Sequence, residues 1–186
     1  MKCRVRVISK MFNEASFVET FIRHYTMHGA DDVILFDDGC TDDSSAKAAL
    51  LGATVLRFES QDRSYNRESD ERRCQEVFSF ALRATDGPTW WLFPDVDELI
   101  QPGPGLPRSL HDALCSLHNV DGVPCVGIHC LPRVPEDERF ELPSADLVQV
   151  LNQVAPPRSI ERSHKAGAAW KTPIWFFGAD STVRYG

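Results

Sequence analysis

The chain has 186 residues, of which 42% are hydrophobic and 25% are charged, and its formal net charge is -7. Such a composition is typical of a globular protein with an ordinary hydrophobic core. The acidic balance argues against nucleic acid or an anionic membrane surface as a partner. No apolar run approaches the ~20 residues that a membrane-spanning helix needs.

The cysteine pattern excludes two classes of site. The six cysteines form no CxxC pair, so a zinc ribbon or a thioredoxin-type motif is not expected. Six cysteines in a chain of this length are too sparse for a disulfide scaffold. Most have apolar neighbours, and we therefore expect reduced thiols in the core.

The first half of the chain alternates between strand and helix patterns. The helix patterns have apolar residues at helical spacing. The first expected helix has Asn13 as a plausible N-cap and Glu14 in its first turn, and it ends near Gly29. The elements expected in chain order are a strand over residues 3–9, this helix, a strand over 31–38, a helix over 41–52, a strand over 54–58, a helix over 66–84 and a strand over 89–94.

The second half gives a weaker pattern. A helix is marked by leucines at helical spacing and a strand follows over residues 123–131, after which prolines interrupt the pattern. Strands alternating with helices predict an α/β fold, a three-layer sandwich with a mostly parallel central sheet. The length favours a single domain over residues 1–186.

The stretch "WWLFPDVDELI" places acidic residues at the end of an apolar strand. In extended backbone residues i and i+2 point to the same side, so the carboxylates of Asp95 and Asp97 can converge. Two negative charges so close favour a compensating cation, and a hard divalent ion such as Mn²⁺ or Mg²⁺ takes oxygen ligands. The alternative is a polar strand end in which Asp97 or Glu98 caps a helix.

A second acidic stretch, "FDDGCTDDS", follows the second expected strand. Asp37 or Asp38 could accept hydrogen bonds from a ribose or a base, as acidic residues do at this place in dinucleotide-binding folds. The structural alternative is a tight turn at Gly39 followed by a capped helix. Because ligands of parallel sheets bind outside the carboxyl ends of the strands, both acidic stretches lie where a ligand is expected.

These elements together resemble the GT-A glycosyltransferases of family 2, in a branch related to family 92. The likeness rests on "KMFNEASFVETFIRHYTMHGADDVILFDDGCTDDS" and "RRCQEVFSFALRATDGPTWWLFPDVDELI", in which five motifs follow one another in the family's order. It covers about residues 5–100 well and is looser from 120 to 175. Residues 1–100 are the expected nucleotide-sugar-binding half, and 101–186 the expected acceptor-side half.

The resemblance implies a set of site residues. The donor nucleotide would contact Asp37, Asp38, Asn13 and Glu14. The metal and diphosphate would be held by Asp95 and Asp97 with Mn²⁺ or Mg²⁺. Lys171 and His164 are candidates for a phosphate contact, and no catalytic base is assigned.

The implied function is metal-dependent transfer of a hexosyl group from a nucleotide sugar to a glycan or other acceptor hydroxyl. We expect a UDP-linked donor and inversion at the anomeric carbon. The location would be the cytoplasm if the chain is complete, and the Golgi lumen if it is a fragment of an anchored enzyme. Two alternatives stay open. One is a non-catalytic GT-A binding module, since no histidine follows Lys171, and the other is a D-x-D phosphotransferase.

Several other polar residues have a simpler structural interpretation. His24 and His28 have the spacing of a zinc-protease pair but lack its glutamate, so we expect surface or packing residues. His129 lies in an apolar strand pattern and is expected to be a core histidine. The acidic run at residues 136–138 is more typical of a solvated loop than of a catalytic site.

Overall fold

A computed structural model describes residues 3–58, 67–102, 106–117, 122–126 and 170–177. The elements are β1 (Arg4–Met11), α1 (Val18–Met27), β2 (Asp32–Asp37), α2 (Ser44–Leu50), β3 (Thr54–Arg57), α3 (Arg67–Arg83), β4 (Thr89–Leu92), α4 (Leu110–Cys115), β5 (Gly122–Val126) and β6 (Trp170–Phe177). None of the helices in these ranges is long and apolar enough to cross a membrane.

The six strands form one sheet in the order β3-β2-β1-β4-β6-β5. The first four are parallel to one another, with Met11 opposite Asp37 and Val7 opposite Leu92. β6 is antiparallel to both β4 and β5. The predicted mostly parallel sheet is confirmed, and strands from both halves of the chain contribute to it.

Helices cover both faces of the sheet, because the side chains of each strand alternate between two cores. Val5 and Val7 of β1 belong to the larger core, which includes residues of α1, α2 and α4. Ile8 points the other way, into a smaller core with Val77 and Ala81 of α3. The predicted three-layer sandwich is therefore confirmed.

The helix ends differ from the sequence expectations. α1 begins at Val18 and Asn13 is not its N-cap, whereas Gly29, with a φ of 84°, follows its end as expected. α2 begins at Ser44 rather than near residue 41. α4 spans only Leu110–Cys115, and the flanking Leu106 and Leu117 are exposed.

Two of the cysteines form a disulfide, so the expectation of reduced core thiols was wrong for them. Cys3, directly before β1, is bonded to Cys115 at the end of α4, with 5.9 Å between the Cα atoms. Among the described residues, Cys40 and Cys74 carry free thiols. The bond joins positions 112 residues apart, a pairing that depends on how α4 packs against β1 and that spacing in the sequence does not indicate.

Candidate functional site

The point where the strand order reverses lies between β1 and β4. From β1 the chain continues to β2 and β3 on one side, and β4 then pairs on the other side. In open parallel sheets, ligands bind at such a point, outside the carboxyl ends of the two strands. Residues Asn13 and Glu14 follow β1 there, and the D-x-D segment follows β4.

The D-x-D segment is a turn rather than extended backbone, which corrects our assumption. The amide of Glu98 donates to the carbonyl of Asp95 at 2.9 Å. The amide of Asp95 donates to Oε2 of Glu98 at 3.1 Å. Val96 is buried, whereas Asp95 and Asp97 are exposed. The turn therefore anchors its middle residue in the core and leaves both aspartates on the solvent side.

Glu14 connects the D-x-D turn to the rest of the edge. It is half-buried; burial raises its pKa above the ordinary value, and the negative charges of Asp97, Asp42 and Asp95 raise it further. We call Glu14, Asp42, Asp95 and Asp97 the acidic cluster. Its members come from three segments, those after β1, after β2 and after β4, and the three aspartates act together on Glu14.

The acidic cluster is suited to a cation that is shared with a ligand. Within the ranges that the structure describes, no three His, Cys, Asp or Glu side chains are arranged as a metal site made by protein alone. Mg²⁺ and comparable hard ions are commonly bound through one or two carboxylates together with water and substrate phosphates. Exposed carboxylates with an excess of negative charge fit such an ion.

Asn13 fixes the loop after β2 instead of capping a helix. Its backbone adopts a φ of 54°, a region in which asparagine is enriched. Its side-chain oxygen accepts from the backbone amides of Thr41 at 2.8 Å and Asp42 at 3.3 Å. The backbone amide of Asn13 donates to Sγ of Cys40 at 3.4 Å. Asn13 thus ties the segments after β1 and β2 to each other.

Asp37 is buried and directed towards its own loop. Its Oδ1 accepts from the amides of Gly39 at 2.9 Å and Cys40 at 2.7 Å, and Oδ2 accepts from the hydroxyl of Ser45 at 2.9 Å. Burial would raise the pKa of Asp37, but the hydrogen bonds from Cys40, Ser45 and Gly39 together lower it. These contacts give Asp37 a structural role, and its contact with a nucleotide stays a prediction.

Asp38 points to the opposite face of the sheet, towards α3. Its Oδ1 accepts from Nε of Arg73 at 2.7 Å, and the two side chains are only 16% and 10% exposed. Arg73 also donates to the hydroxyl of Ser69. The ion pair fixes α3 against the carboxyl end of β2, and a nucleotide contact at Asp38 likewise stays a prediction.

The backbone of Lys171 lies at the same edge of the sheet. β6 is antiparallel to β4 with Ile174 opposite Leu92, so the residues before Ile174 continue past the carboxyl end of β4. Lys171 is opposite Cys125 of β5. His164, His129 and the acidic run at 136–138 lie outside the described residues.

Sequence reasoning missed the groups that support the D-x-D turn from behind. The hydroxyl of Tyr25 donates to the carbonyl of Glu98 at 2.9 Å and accepts from the amide of Ile100 at 3.1 Å. His24 is buried, and its Nε2 lies 2.8 Å from the carbonyl of Ile100. Since a carbonyl only accepts, Nε2 carries the hydrogen. The packing role expected for His24 is confirmed; no sequence signal indicated its partner.

The other histidine of the pair holds α4. The carbonyl of His28 accepts from the hydroxyl of Ser109 at 3.1 Å and from the amide of His111 at 3.2 Å. Its Nδ1 lies 3.0 Å from the carbonyl of Arg108. A Cβ at Gly29 would lie 2.9 Å from Cβ of His111, so the close approach of α1 and α4 requires glycine there. α1 therefore contacts both the segment after the D-x-D turn and the start of α4.

No protein-family profile matches the chain, and no curated protein matches it. Among solved structures, it is similar to glucosyl-3-phosphoglycerate synthase from Mycobacterium tuberculosis in complex with Mn²⁺, UDP and glucosyl-3-phosphoglycerate, with 25% identity and a TM-score of 0.38 over 50% of this chain and 33% of the synthase. A second structure of that synthase gives 24% identity and a TM-score of 0.39, over 53% and 36% of the two chains. A further mycobacterial protein gives 22% identity and a TM-score of 0.38, over 50% and 31%. The matched region is thus about a third of the length of each of these proteins.

Proposed function

We propose that the chain is a metal-dependent glycosyltransferase that uses Mn²⁺ or Mg²⁺, with residues 1–100 as its nucleotide-sugar-binding half. The observation that carries the proposal is the acidic cluster at the point where the strand order reverses. Burial raises the pKa of Glu14 there, and the charges of the exposed Asp95 and Asp97, with that of Asp42, raise this pKa further. Without a cation this arrangement costs free energy, and a divalent ion held by these carboxylates would lower that cost.

The proposed mechanism assigns separate tasks to the residues of this edge. Asp95 and Asp97 would hold the divalent ion, which supplies electrostatic stabilisation of the departing nucleoside diphosphate. Asn13 and the loop that it fixes would form the wall on the nucleoside side, with Asp37 and Asp38 beneath it. Lys171, whose backbone lies at the same edge, would supply positive charge to a phosphate. The acceptor hydroxyl would attack the anomeric carbon as the bond from that carbon to the diphosphate oxygen breaks, and the hydroxyl proton would pass to a base or to solvent.

The donor and the location are proposals of the same kind. We propose a UDP-linked hexose as donor, a glycan or other hydroxyl as acceptor, and inversion at the anomeric carbon, which NMR of the product anomer would check. The Cys3–Cys115 disulfide favours an oxidising compartment. Of the two locations considered, the cytoplasm and the Golgi lumen, we therefore propose the Golgi lumen.

The decisive experiment compares Asp97→Asn with Asp86→Asn. Asp86→Asn removes the same charge from an exposed residue, which pairs with Arg4 at the start of β1, at the other end of the strands. Calorimetric titration with UDP and with UDP- and GDP-sugars, with and without Mn²⁺, measures donor binding. Asp97→Asn should keep the wild-type melting temperature, lose the effect of Mn²⁺ on binding, and lose about a hundredfold or more of transfer or donor hydrolysis.

Two results would contradict the proposal. Asp97→Asn could lower the melting temperature while keeping the metal response, which is the behaviour of a capping residue. Wild-type protein could also show no Mn²⁺-dependent nucleotide binding. Mn²⁺-dependent binding without any transfer would instead favour the non-catalytic binding module.

A further inference from the structure

We propose that Tyr25 is a positioning residue for the acidic cluster, an inference that rests on the proposed function. Its hydroxyl bridges two backbone groups on either side of Leu99, directly after the D-x-D turn. It donates to the carbonyl of Glu98 at 2.9 Å and accepts from the amide of Ile100 at 3.1 Å. A buried side chain thereby reaches the segment that carries the metal ligands.

The hydroxyl is held in place by the core. Tyr25 has no solvent exposure. Its ring packs edge-on against Phe21, with 4.8 Å between centroids, and against His24, with 4.9 Å. A ring so enclosed has few alternative rotamers, so the position of its oxygen is set by α1 and by the sheet beneath it.

His24 reinforces the same contact from the preceding position of α1. Its Nε2 donates to the carbonyl of Ile100 at 2.8 Å, so Tyr25 and His24 together satisfy both backbone groups of Ile100. Residues 98–100 belong to neither a helix nor a strand. In such a segment, bonds from fixed side chains replace the ladder that would otherwise define the backbone position.

The restraint reaches the carboxylates through Glu98. The amide of Glu98 and its Oε2 form the two hydrogen bonds that close the turn with Asp95, and its carbonyl accepts from Tyr25. Asp95 and Asp97 both lie in this turn, and both are exposed. The backbone position of the two aspartates therefore follows the turn, and Tyr25 holds the turn through Glu98.

The test is Tyr25→Phe, which keeps the buried ring and removes only the hydroxyl. The matched control is Thr89→Val, which removes a fully buried hydroxyl that donates to Gly87 at the start of β4, away from the carboxyl edge. UDP affinity is measured by calorimetry with and without Mn²⁺, and backbone amide exchange by NMR. In Tyr25→Phe, the Mn²⁺-dependent gain in UDP affinity should fall about tenfold, the scale of one lost hydrogen bond, while affinity without metal stays within about twofold.

Amide exchange tests the contact itself. The Ile100 amide should exchange faster in Tyr25→Phe and be unchanged in Thr89→Val. Should Tyr25→Phe not fold, His24→Leu removes the third hydrogen bond of the segment, and the same loss of metal response is expected. Unchanged Mn²⁺-dependent affinity in a folded variant, or unchanged exchange at Ile100, would overturn the positioning role and leave the proposed function standing. Wild-type protein without Mn²⁺-dependent UDP binding would instead overturn the proposed function, and the positioning role with it.

Discussion

The loop after β2 and the turn after β4 are both rich in aspartate, yet their carboxylates have opposite surroundings. In the β2 loop, Asp37 is buried and accepts three hydrogen bonds from its own loop, and Asp38 pairs with Arg73. In the β4 turn, Asp95 and Asp97 are exposed and add negative charge beside Glu14. Asp37 and Asp38 of the first loop are thus paired within the protein, whereas Asp95 and Asp97 of the second segment are exposed to solvent.

The two segments are also held by different means. The β2 loop is fixed from within, by Asp37 and by Asn13. The β4 turn is held by Tyr25 of α1. His28, directly after α1, accepts a hydrogen bond from Ser109 at the start of α4. The end of α4 is bonded through Cys115 to Cys3, directly before β1. A perturbation of α4 should therefore affect the turn and spare the loop, whereas a perturbation of Asp37 should do the reverse.

The largest effect on stability is expected from Cys115→Ser. Closing a loop of 112 residues restricts the unfolded chain, and its loss costs about 4–5 kcal/mol in the chain-entropy description. Denaturant unfolding measures the loss, and reduction of the wild type should reproduce it. Cys74→Ser, which removes a free thiol, is the control. Equal stability of Cys115→Ser and wild type would show that the disulfide does not contribute. Amide exchange should increase at residues 98–100 and not at residues 39–41.

A smaller effect on stability is expected from Asp37→Ala. The amides of Gly39 and Cys40 and the hydroxyl of Ser45 would lose their acceptor, at a cost of about 2–3 kcal/mol. The Mn²⁺ response should persist, which is the opposite of the behaviour expected for Asp97→Asn. Thermal unfolding with and without Mn²⁺ measures both. The matched control, Asp43→Ala, removes an aspartate of the same loop that is 61% exposed and should change stability by no more than about 0.5 kcal/mol. A similar loss in both variants would contradict the structural role of Asp37.

The smallest effect on stability is expected on mild acidification. The segment after the D-x-D turn should be destabilised at a higher pH than the loop after β2. Burial lowers the pKa of His24 below the ordinary 6.5. The unfolded state then binds the proton more readily, so stability falls as the pH drops below 6.5 towards the folded pKa. Asp37 has its pKa lowered from 3.8, because bonds from Cys40, Ser45 and Gly39 outweigh its burial, so its contribution persists until the pH falls below 3.8.

The measurement is amide exchange at residues 98–100 and 39–41 between pH 7 and 4, corrected for the intrinsic pH dependence of exchange. The segment after the turn should lose protection first. His24→Leu should abolish this early loss, although it lowers protection at all pH values. Simultaneous loss in both segments would show that His24 does not control the difference.

The sequence was sufficient for the parts of the fold that follow local rules. The strand at 89–94 and the helix at 66–84 were placed within a few residues of β4 and α3, since each has a clear apolar period. The position of both acidic stretches at the carboxyl edge also followed from strand direction alone. Strand direction did not indicate that Asp42, rather than Asp37 or Asp38, would lie in the acidic cluster.

The remainder depends on contacts between distant segments. Asn13 was expected to cap α1 because its residue type favours that position, but the amides of Thr41 and Asp42 compete for the same oxygen. The disulfide between Cys3 and Cys115 does not correspond to any periodic pattern in the sequence. The same holds for the hydrogen bond from the Ile100 amide to the Tyr25 hydroxyl. Local propensity cannot indicate partners that only the folded chain brings together.

The position of β6 has a consequence for biosynthesis. β4 and β5 both pair with β6, which is the last described strand to leave the ribosome. Until Trp170–Phe177 has been translated, the sequence "TWWL" of β4 is an uncovered edge with apolar side chains on both faces. Such edges recruit strands from other chains. Cys3 and Cys115 emerge well before β6. Their disulfide can therefore link the segment before β1 to the end of α4 before β6 has been translated.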